Sequence, residues 1–299
     1  MEAFYVSFAK KFMALMLSFF ALLGAHRDME TPAAEPLAEG ADVRVVQFNL
    51  RCTGLGKTSV AYRAPLMAAM LQSLQADSMG FQEANLRWMT YLEEHLTDYA
   101  YVGVARDDGK VRGEFSPIFY LKEKYDAVES GTFWLSKTPD KPGTKDWGSA
   151  CNRICTWAVL ENKETGARYA HFNTHLDHIS GEARKNQMAV LLEKVKEYLG
   201  VYPVVLTGDL NDPEDSEMYR EAAALLTDAR RAAPVTDTQD TFHNYGGVVP
   251  VGLLDYVFVS ENVTPLVFHV IDDKLDGAYL SDHYGVYVDM KLSAPAALS

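Results

Sequence analysis

Short apolar runs that end in polar residues recur along this chain. "VRVVQFNL" (43–50), rich in Val and Phe, predicts a buried strand, and "SMGFQEA" (78–84) a shorter one ending at Gln82-Glu83. "YAYVGVA" (99–105), "SPIFYLKEKY" (116–125) and "AVESGTFWLS" (127–136) read as further strands. "ICTWAVLENKETGARYAHFNTHL" (154–176) reads as a hairpin around the turn "NKETGA". Strands are also expected over 202–207, 253–260, 264–271 and 285–292. Helical apolar spacing covers "APLMAAMLQSLQA" (64–76) and "EARKNQMAVLLEKVKEYLG" (182–200), the latter stopped by Gly200, with helices also expected over 86–96 and near 216–227. Strands outnumber helices, and hairpins mix with strand–helix–strand units. The pattern predicts a layered α+β fold with mixed or antiparallel sheets, as one domain over residues 41–293, followed by a short tail, 294–299.

The first residues break this pattern. After Lys10 and Lys11, residues 12–25 are uncharged and mostly apolar, shorter than the roughly 20 residues of a membrane span. A basic start, a short apolar core and the small residues Gly24 and Ala25 are the marks of a secretory signal peptide over 1–25, an uncleaved anchor being the rival reading. Export from the cytoplasm is the expectation, with 26–40 a flexible leader.

Composition narrows the chemistry. A net charge of −13 excludes a general basic surface for holding nucleic acid. Phosphate, if handled, must be handled locally, with help from a divalent cation. The three Cys (52, 151, 155) make neither a disulfide framework nor a zinc set. Cys151 and Cys155 are either a pair or, as the simpler reading, small buried residues.

Polar residues of a particular kind gather at the strand ends. Asn49 ends "VVQFN", Glu83 follows "GFQ", and Asn173 and His175 end "AHFNTH". Asp209 and Asn211 end "VVLTGDLN", Asp255 starts "DYVFVS", and Asp282-His283 precedes "YGVYVDM". One such end is explained by a cap or turn; "GDLNDP" is made of turn residues. Six such ends, in sheets packed face to face, would converge along one edge. Carboxylate and amide oxygens there suit a hard cation such as Mg²⁺ or Mn²⁺. Histidine beside carboxylates suits proton transfer near neutral pH. Together they point to metal-assisted hydrolysis of a phosphoester.

The ordered set "QFN", "QE", "NTHLDH", "GDLN", "LDYVF" and "SDH" resembles the endonuclease/exonuclease/phosphatase (DNase I-like) superfamily over residues 43–292. That group includes DNase I, abasic-site endonucleases, neutral sphingomyelinases, inositol-polyphosphate 5-phosphatases and deadenylases. "GEFSPIFYLKEKY" and "NRICTWAVLENKETG" resemble a bacterial, often exported, branch close to the deadenylase-like subgroup. The resemblance implies a four-layered α/β sandwich, two mixed β-sheets packed face to face and flanked by helices. It implies Glu83 as principal Mg²⁺ (or Mn²⁺) ligand, with Asn49 beside it and Asp282 helping. His283 would contact phosphate and act as acid or base, oriented by Asp255. Asp209 would position or deprotonate the attacking water, Asn211 would bond the scissile phosphate, and His175 would stabilise its developing charge. Relatives often carry a basic residue at the position of Leu253, which puts contact with an extra phosphate in doubt.

Weaker candidates flank this set. Arg153, before a strand, is a phosphate fork or an ordinary surface Arg. Asn173 and His243 are further substrate-binding candidates, His243 as a pocket wall. Asp177 and His178 would lie beneath His175 or be solvated. "GLGKTS" (54–59) fails as a phosphate-binding loop because Arg51 stands where a Gly is required, and it reads instead as a rim loop. The substrate expected is a nucleotide, nucleic acid, phospholipid headgroup or sugar phosphate, turned over by a monomer without a stable protein partner. A secreted nuclease, a sphingomyelinase-type phosphodiesterase and a non-catalytic binding module are the alternatives.

Overall fold

The computed structural model describes residues 32–33, 35–249 and 252–293. The expected signal peptide, the first part of the leader and the 294–299 tail lie outside the described residues. No described helix is long and apolar enough to cross a membrane.

Two sheets carry the described fold. The first contains β1 (Val43–Asn49), β2 (Ser78–Gln82), β3 (Tyr99–Val102), β4 (Ile118–Leu121), β10 (Val235–Thr236), β12 (Val263–Ile271) and β13 (Gly285–Leu292). The second contains β5 (Tyr125–Trp134), β6 (Ile154–Asn162), β7 (Arg168–His175), β8 (Val204–Asp209), β9 (Thr227–Asp228) and β11 (Asp255–Val259). Their orders are β10-β12-β13-β1-β2-β4-β3 and β5-β6-β7-β8-β11-β9. Both are mixed: β1 pairs β2 parallel and β13 antiparallel, and β7 pairs β8 parallel while β8 pairs β11 antiparallel. The expected hairpin is present, β6 and β7 pairing from Cys155–Thr174 to Glu161–Arg168.

Among the described residues five α-helices accompany them: α1 (Val60–Leu74), α2 (Leu86–His95), α3 (Gly181–Lys196), α4 (Glu217–Ala223) and α5 (Ala229–Ala232). α1 starts four residues earlier than the apolar spacing suggests, because the Ser59 hydroxyl accepts the Tyr62 N–H and caps it. The rejected "GLGKTS" forms a single 3-10 turn, Gly56–Thr58, leading into that cap.

Three apolar clusters follow the layers. One packs α1 and α2 on the outer face of the first sheet, through Phe48, Met67, Phe81 and Trp88. Another packs α3 and α4 on the outer face of the second, through Phe172, Leu191, Leu206 and Tyr219. The third fills the space between the sheets with Val45, Leu160, Val205, Val257 and Val288. This is the four-layered arrangement, helices outside and sheets within. All three cysteines are free, so Cys151 and Cys155 do not pair.

The end of the expected leader is held rather than loose. Arg44, buried in β1, pairs with Asp289 of β13 and donates to the carbonyls of Glu35 and Pro36, each at 2.9 Å. Ala38 N–H donates to the Asp289 carboxylate at 2.8 Å. A guanidinium taken out of water needs all its donors met, and residues Glu35–Ala38 are fixed by meeting them.

Asp177, two residues beyond the end of β7, ties the surrounding loops together. Its carboxylate accepts the N–H groups of Ile179 and Ser180 at 3.0 and 2.8 Å, starting α3. It also accepts Ala150 N–H and the Ser149 hydroxyl at 2.8 and 2.9 Å. It therefore clamps two loops together, and it is buried rather than solvated.

Two stability predictions follow from these contacts. A Cβ on Gly80 would lie 2.4 Å from Thr207 Oγ1 and 2.6 Å from Asn173 Oδ1, where the sheets approach through side chains already fixed by hydrogen bonds. Gly80→Ala should cost about 1–3 kcal/mol in chemical denaturation, and an unchanged midpoint refutes the close approach. For Asp177, burial opposes ionisation, but four donated hydrogen bonds hold its pKa down to about 2. A depressed carboxylate contributes stability above its unfolded pKa and loses it as pH falls through the folded one, here between about 4 and about 2. Asp177→Asn should therefore be less stable than wild type by about 2 kcal/mol at pH 6, and the gap should narrow at pH 3; a gap that stays constant refutes the linkage.

Candidate active site

The strand ends do converge. Asn49 at the end of β1 reaches across to the other sheet, donating through Nδ2 to Asp209 Oδ2 at 2.8 Å, with Glu83 Oε1 at 3.3 Å. Asp209 at the end of β8 also lies 3.4 Å from His175 Nε2 and 3.8 Å from His283 Nε2. Asp255, directly paired with Asp209 across β8 and β11, accepts from His283 Nδ1 at 2.8 Å. All of these side chains except that of Glu83 are fully or almost fully buried.

Backbone strain aims several of them. Arg51, Glu83 and Asn211 have φ of 56°, 55° and 52°, in the left-handed region that non-glycine residues avoid. At Glu83 this turns the carboxylate back toward β1, where Cys52 N–H donates to it at 2.9 Å. At Asn211 it brings the backbone N–H onto Asp209 Oδ1 at 3.0 Å and the amide Nδ2 onto the Leu176 carbonyl at 3.0 Å. The "GDLNDP" turn thus fixes the Asp209 carboxylate.

Electrostatics separate the titrating groups. Burial, reinforced by Asp255, raises the Asp209 carboxyl well above the usual range despite the imidazole nearby. Burial alone would lower His283, but Asp255 and Asp209 outweigh it and hold the imidazole in its charged form. His175 goes the other way: burial, with Arg153 and Arg106 adding to it, keeps it neutral. Burial raises Glu83, yet the Cys52 N–H and the Arg51 charge bring it below its ordinary value. A neutral imidazole, a charged one and a basic carboxylate therefore stand within one cluster.

The donor set fits a hard cation. Glu83 and Asp282 face a common positive charge, the Arg51 guanidinium, with Nη1 3.7 Å from Glu83 Oε1 and Nε 3.3 Å from Asp282 Oδ2. That side chain is partly exposed, so a guanidinium stands where two carboxylates create demand for positive charge. Asp209, Asp255 and His283 also lie within 4.8 Å of one another. A charged imidazole bonded to a carboxylate has no lone pair for a metal, so this second group is the weaker ligand set.

The remaining candidates are placed differently. Asn173 lies wholly inside, between the sheets: its Nδ2 donates to the carbonyls of Phe81 and Pro117 at 2.8 and 2.9 Å, and its Oδ1 accepts from Gln82. Its amide is thus spent between the sheets, two residues from His175 on the same strand face. His243 stacks between Tyr279 and Tyr284, at 4.5 and 4.0 Å, and its Nδ1 accepts from Gly246 N–H. Its Nε2 is buried without a partner, and the neighbouring Phe242 ring packs on His283 at 4.8 Å. Arg153 is buried, not a surface Arg, with Nη2 3.1 Å from His178 Nδ1 and with Nε and Nη1 unpartnered. It borders a small cavity with His175, Arg106, Glu114 and Ser116.

Two arginines escaped the sequence reading. Arg51 has just been described. Arg63, buried in α1, donates to the carbonyls of Leu50, Arg51 and Leu280 at 2.6, 2.7 and 2.7 Å, and so fixes the chain beside both Asn49 and Asp282. An arginine at a position where α1 faces the core was the available signal.

Comparison with known proteins agrees with this geometry. The Endonuclease/Exonuclease/phosphatase family model matches residues 46–283. An endonuclease/exonuclease/phosphatase from Bacteroides vulgatus is similar at 33% identity and TM-score 0.80, over 84% of this chain and 99% of that one. The mannosyl-6-phosphatase of Bacteroides thetaiotaomicron VPI-5482 is similar at 33% identity and TM-score 0.79, over 83% and 99%. The human nocturnin catalytic domain shares the fold, at 20% identity and TM-score 0.66 over 90% and 97%. No curated protein matches. The chain belongs to the endonuclease/exonuclease/phosphatase family, and it is an enzyme that acts on phosphoester bonds.

Proposed function

We propose that this protein is a divalent-metal-dependent phosphohydrolase that cleaves a small phosphate ester by in-line attack of water. The observation that carries the reading is the Asp255–His283–Asp209–Asn49 cluster, in which a charged imidazole and a carboxylate with raised proton affinity share one buried site. Asp209 accepts the proton of the attacking water, its raised affinity suiting a base near neutral pH. His283, charged and oriented by Asp255, donates to the phosphoryl or leaving-group oxygen. His175, neutral, and Asn211, whose Nδ2 carries a second hydrogen, donate to the other phosphoryl oxygens. Arg153, with two unpartnered N–H groups, adds positive charge behind His175. Asn49, Glu83 and Asp282 would hold Mg²⁺ or Mn²⁺, which supplies neutralising charge at the phosphoryl group and a more acidic water.

Within that reading a sugar phosphate is the leading substrate, since a similar protein at 33% identity is a mannosyl-6-phosphatase. A small phosphodiester, nucleotide or phospholipid headgroup uses the same machinery. A nuclease gripping long duplexes is disfavoured by the net charge of −13. We propose further that the protein is exported, by the apolar segment following Lys10 and Lys11.

Purified protein should hydrolyse bis-p-nitrophenyl phosphate, p-nitrophenyl phosphate or a member of a panel of hexose phosphates, nucleotides, sphingomyelin, phosphoinositides, RNA and DNA, given Mg²⁺ or Mn²⁺. EDTA should abolish the activity. Glu83→Ala and His283→Ala should each lower kcat/KM by roughly 100-fold or more. Full activity in EDTA, or in either variant, sinks the mechanism.

A further inference from the structure

A chain of three buried amides runs through the gap between the sheets and ends on Asp255. Asn173 Nδ2 donates to two backbone carbonyls, Phe81 and Pro117, which turns its Oδ1 toward Gln82 Nε2 at 2.7 Å. Gln82 Oε1 is thereby turned toward Gln47, whose Nε2 donates to it at 2.7 Å. The second hydrogen of the same Nε2 donates to Asp255 Oδ1, also at 2.7 Å. Each amide has its direction set by the one before, and the first by backbone that cannot rotate. No member can flip without setting oxygen against oxygen.

We infer that Gln47 is a positioning residue for the hydrolytic site, acting through Asp255 on His283. Asp255 has two carboxylate oxygens, and each is committed: Oδ1 to Gln47, Oδ2 to His283 Nδ1. The first bond fixes the rotation of the carboxylate and hence the direction from which it holds the imidazole. Such partners behind an orienting carboxylate matter to activity in other sites. Gln47 Oε1 is buried without a partner. Both of its N–H groups are committed, one to Gln82 and one to Asp255, so the amide is placed as a donor, and its own acceptor is left unmet. This inference rests on the proposed hydrolytic role of His283 and adds to it a residue from the far side of the sheet gap.

The test is Gln47→Met, which keeps volume and removes both the donor and the orphan. On the best substrate of the panel, kcat should fall roughly 10- to 100-fold, with KM within about threefold and Tm lowered, because Gln82 Oε1 and Asp255 Oδ1 lose their shared donor. The same loss should vanish in an Asp255→Ala background, because Gln47 has nothing left to position. Independently of activity, the His283 Nδ1–H proton resonance should shift or broaden in Gln47→Met and in Gln82→Met, which cuts the chain one amide further back. Unchanged kcat, a kcat loss fully additive with Asp255→Ala, or an unmoved imidazole resonance overturns the inference. If Gln47→Met does not fold, Gln82→Met decides by the same kinetic and resonance criteria. An inactive wild type sinks the functional reading alone, since the resonance still tests the amide chain.

Discussion

Everything at this site depends on how closely the two sheets approach at one edge. Asn49 of the first sheet and Asp209 of the second are joined by one 2.8 Å hydrogen bond, and that contact sets the distance across which all the other groups must meet. The approach is possible because the gap is lined with polar groups that satisfy one another, and because Gly80 has no side chain there. His171 illustrates the first condition: it is wholly buried between Ser78 and Thr207, at 2.9 Å from each, and burial lowers its pKa to about 3. A gap filled by apolar residues alone would be more forgiving and would fix no carboxylate.

Burial then does the chemical sorting. The same low-dielectric surroundings raise a carboxylate, lower one imidazole and, through two neighbouring carboxylates, raise the other. Burial sets the direction for Asp209 and His175, and the two imidazoles, alike in burial, differ because His283 faces Asp255 and Asp209 while His175 faces Arg153 and Arg106. The strained residues Arg51, Glu83 and Asn211 belong to the same economy of position. Each places a donor or acceptor where an unstrained strand end would have pointed it elsewhere.

The layered fold and the order of the strand ends were legible because apolar runs and their polar termini are both local signals. Depth was not. Asn173 and His175 have the same parity on β7 and are alike in sequence, yet one lies inside the gap and the other at its edge. Their difference is set by where β7 crosses the neighbouring sheet, which no pattern within β7 encodes. The roles of Arg51 and Arg63 were hidden for a related reason: their partners are carbonyls and carboxylates far along the chain. The two-residue strands β9 and β10 are too short to show any period. The Ser59 cap, a local signal, marks the start of α1 ahead of its apolar spacing.

The hold that Arg44 keeps on residues Glu35–Ala38 bears on where this domain can be cut. The contacts of the folded layers reach back to Glu35, ahead of the first strand. A shortened chain that starts before Glu35 retains the whole collar of carbonyls around the buried Arg44–Asp289 pair. One that starts at β1 opens that pair to water at the bottom of both β1 and β13, the strands that lead to Asn49 and away from His283. For anyone appending a tag or a fusion partner, the useful joint is therefore ahead of Glu35.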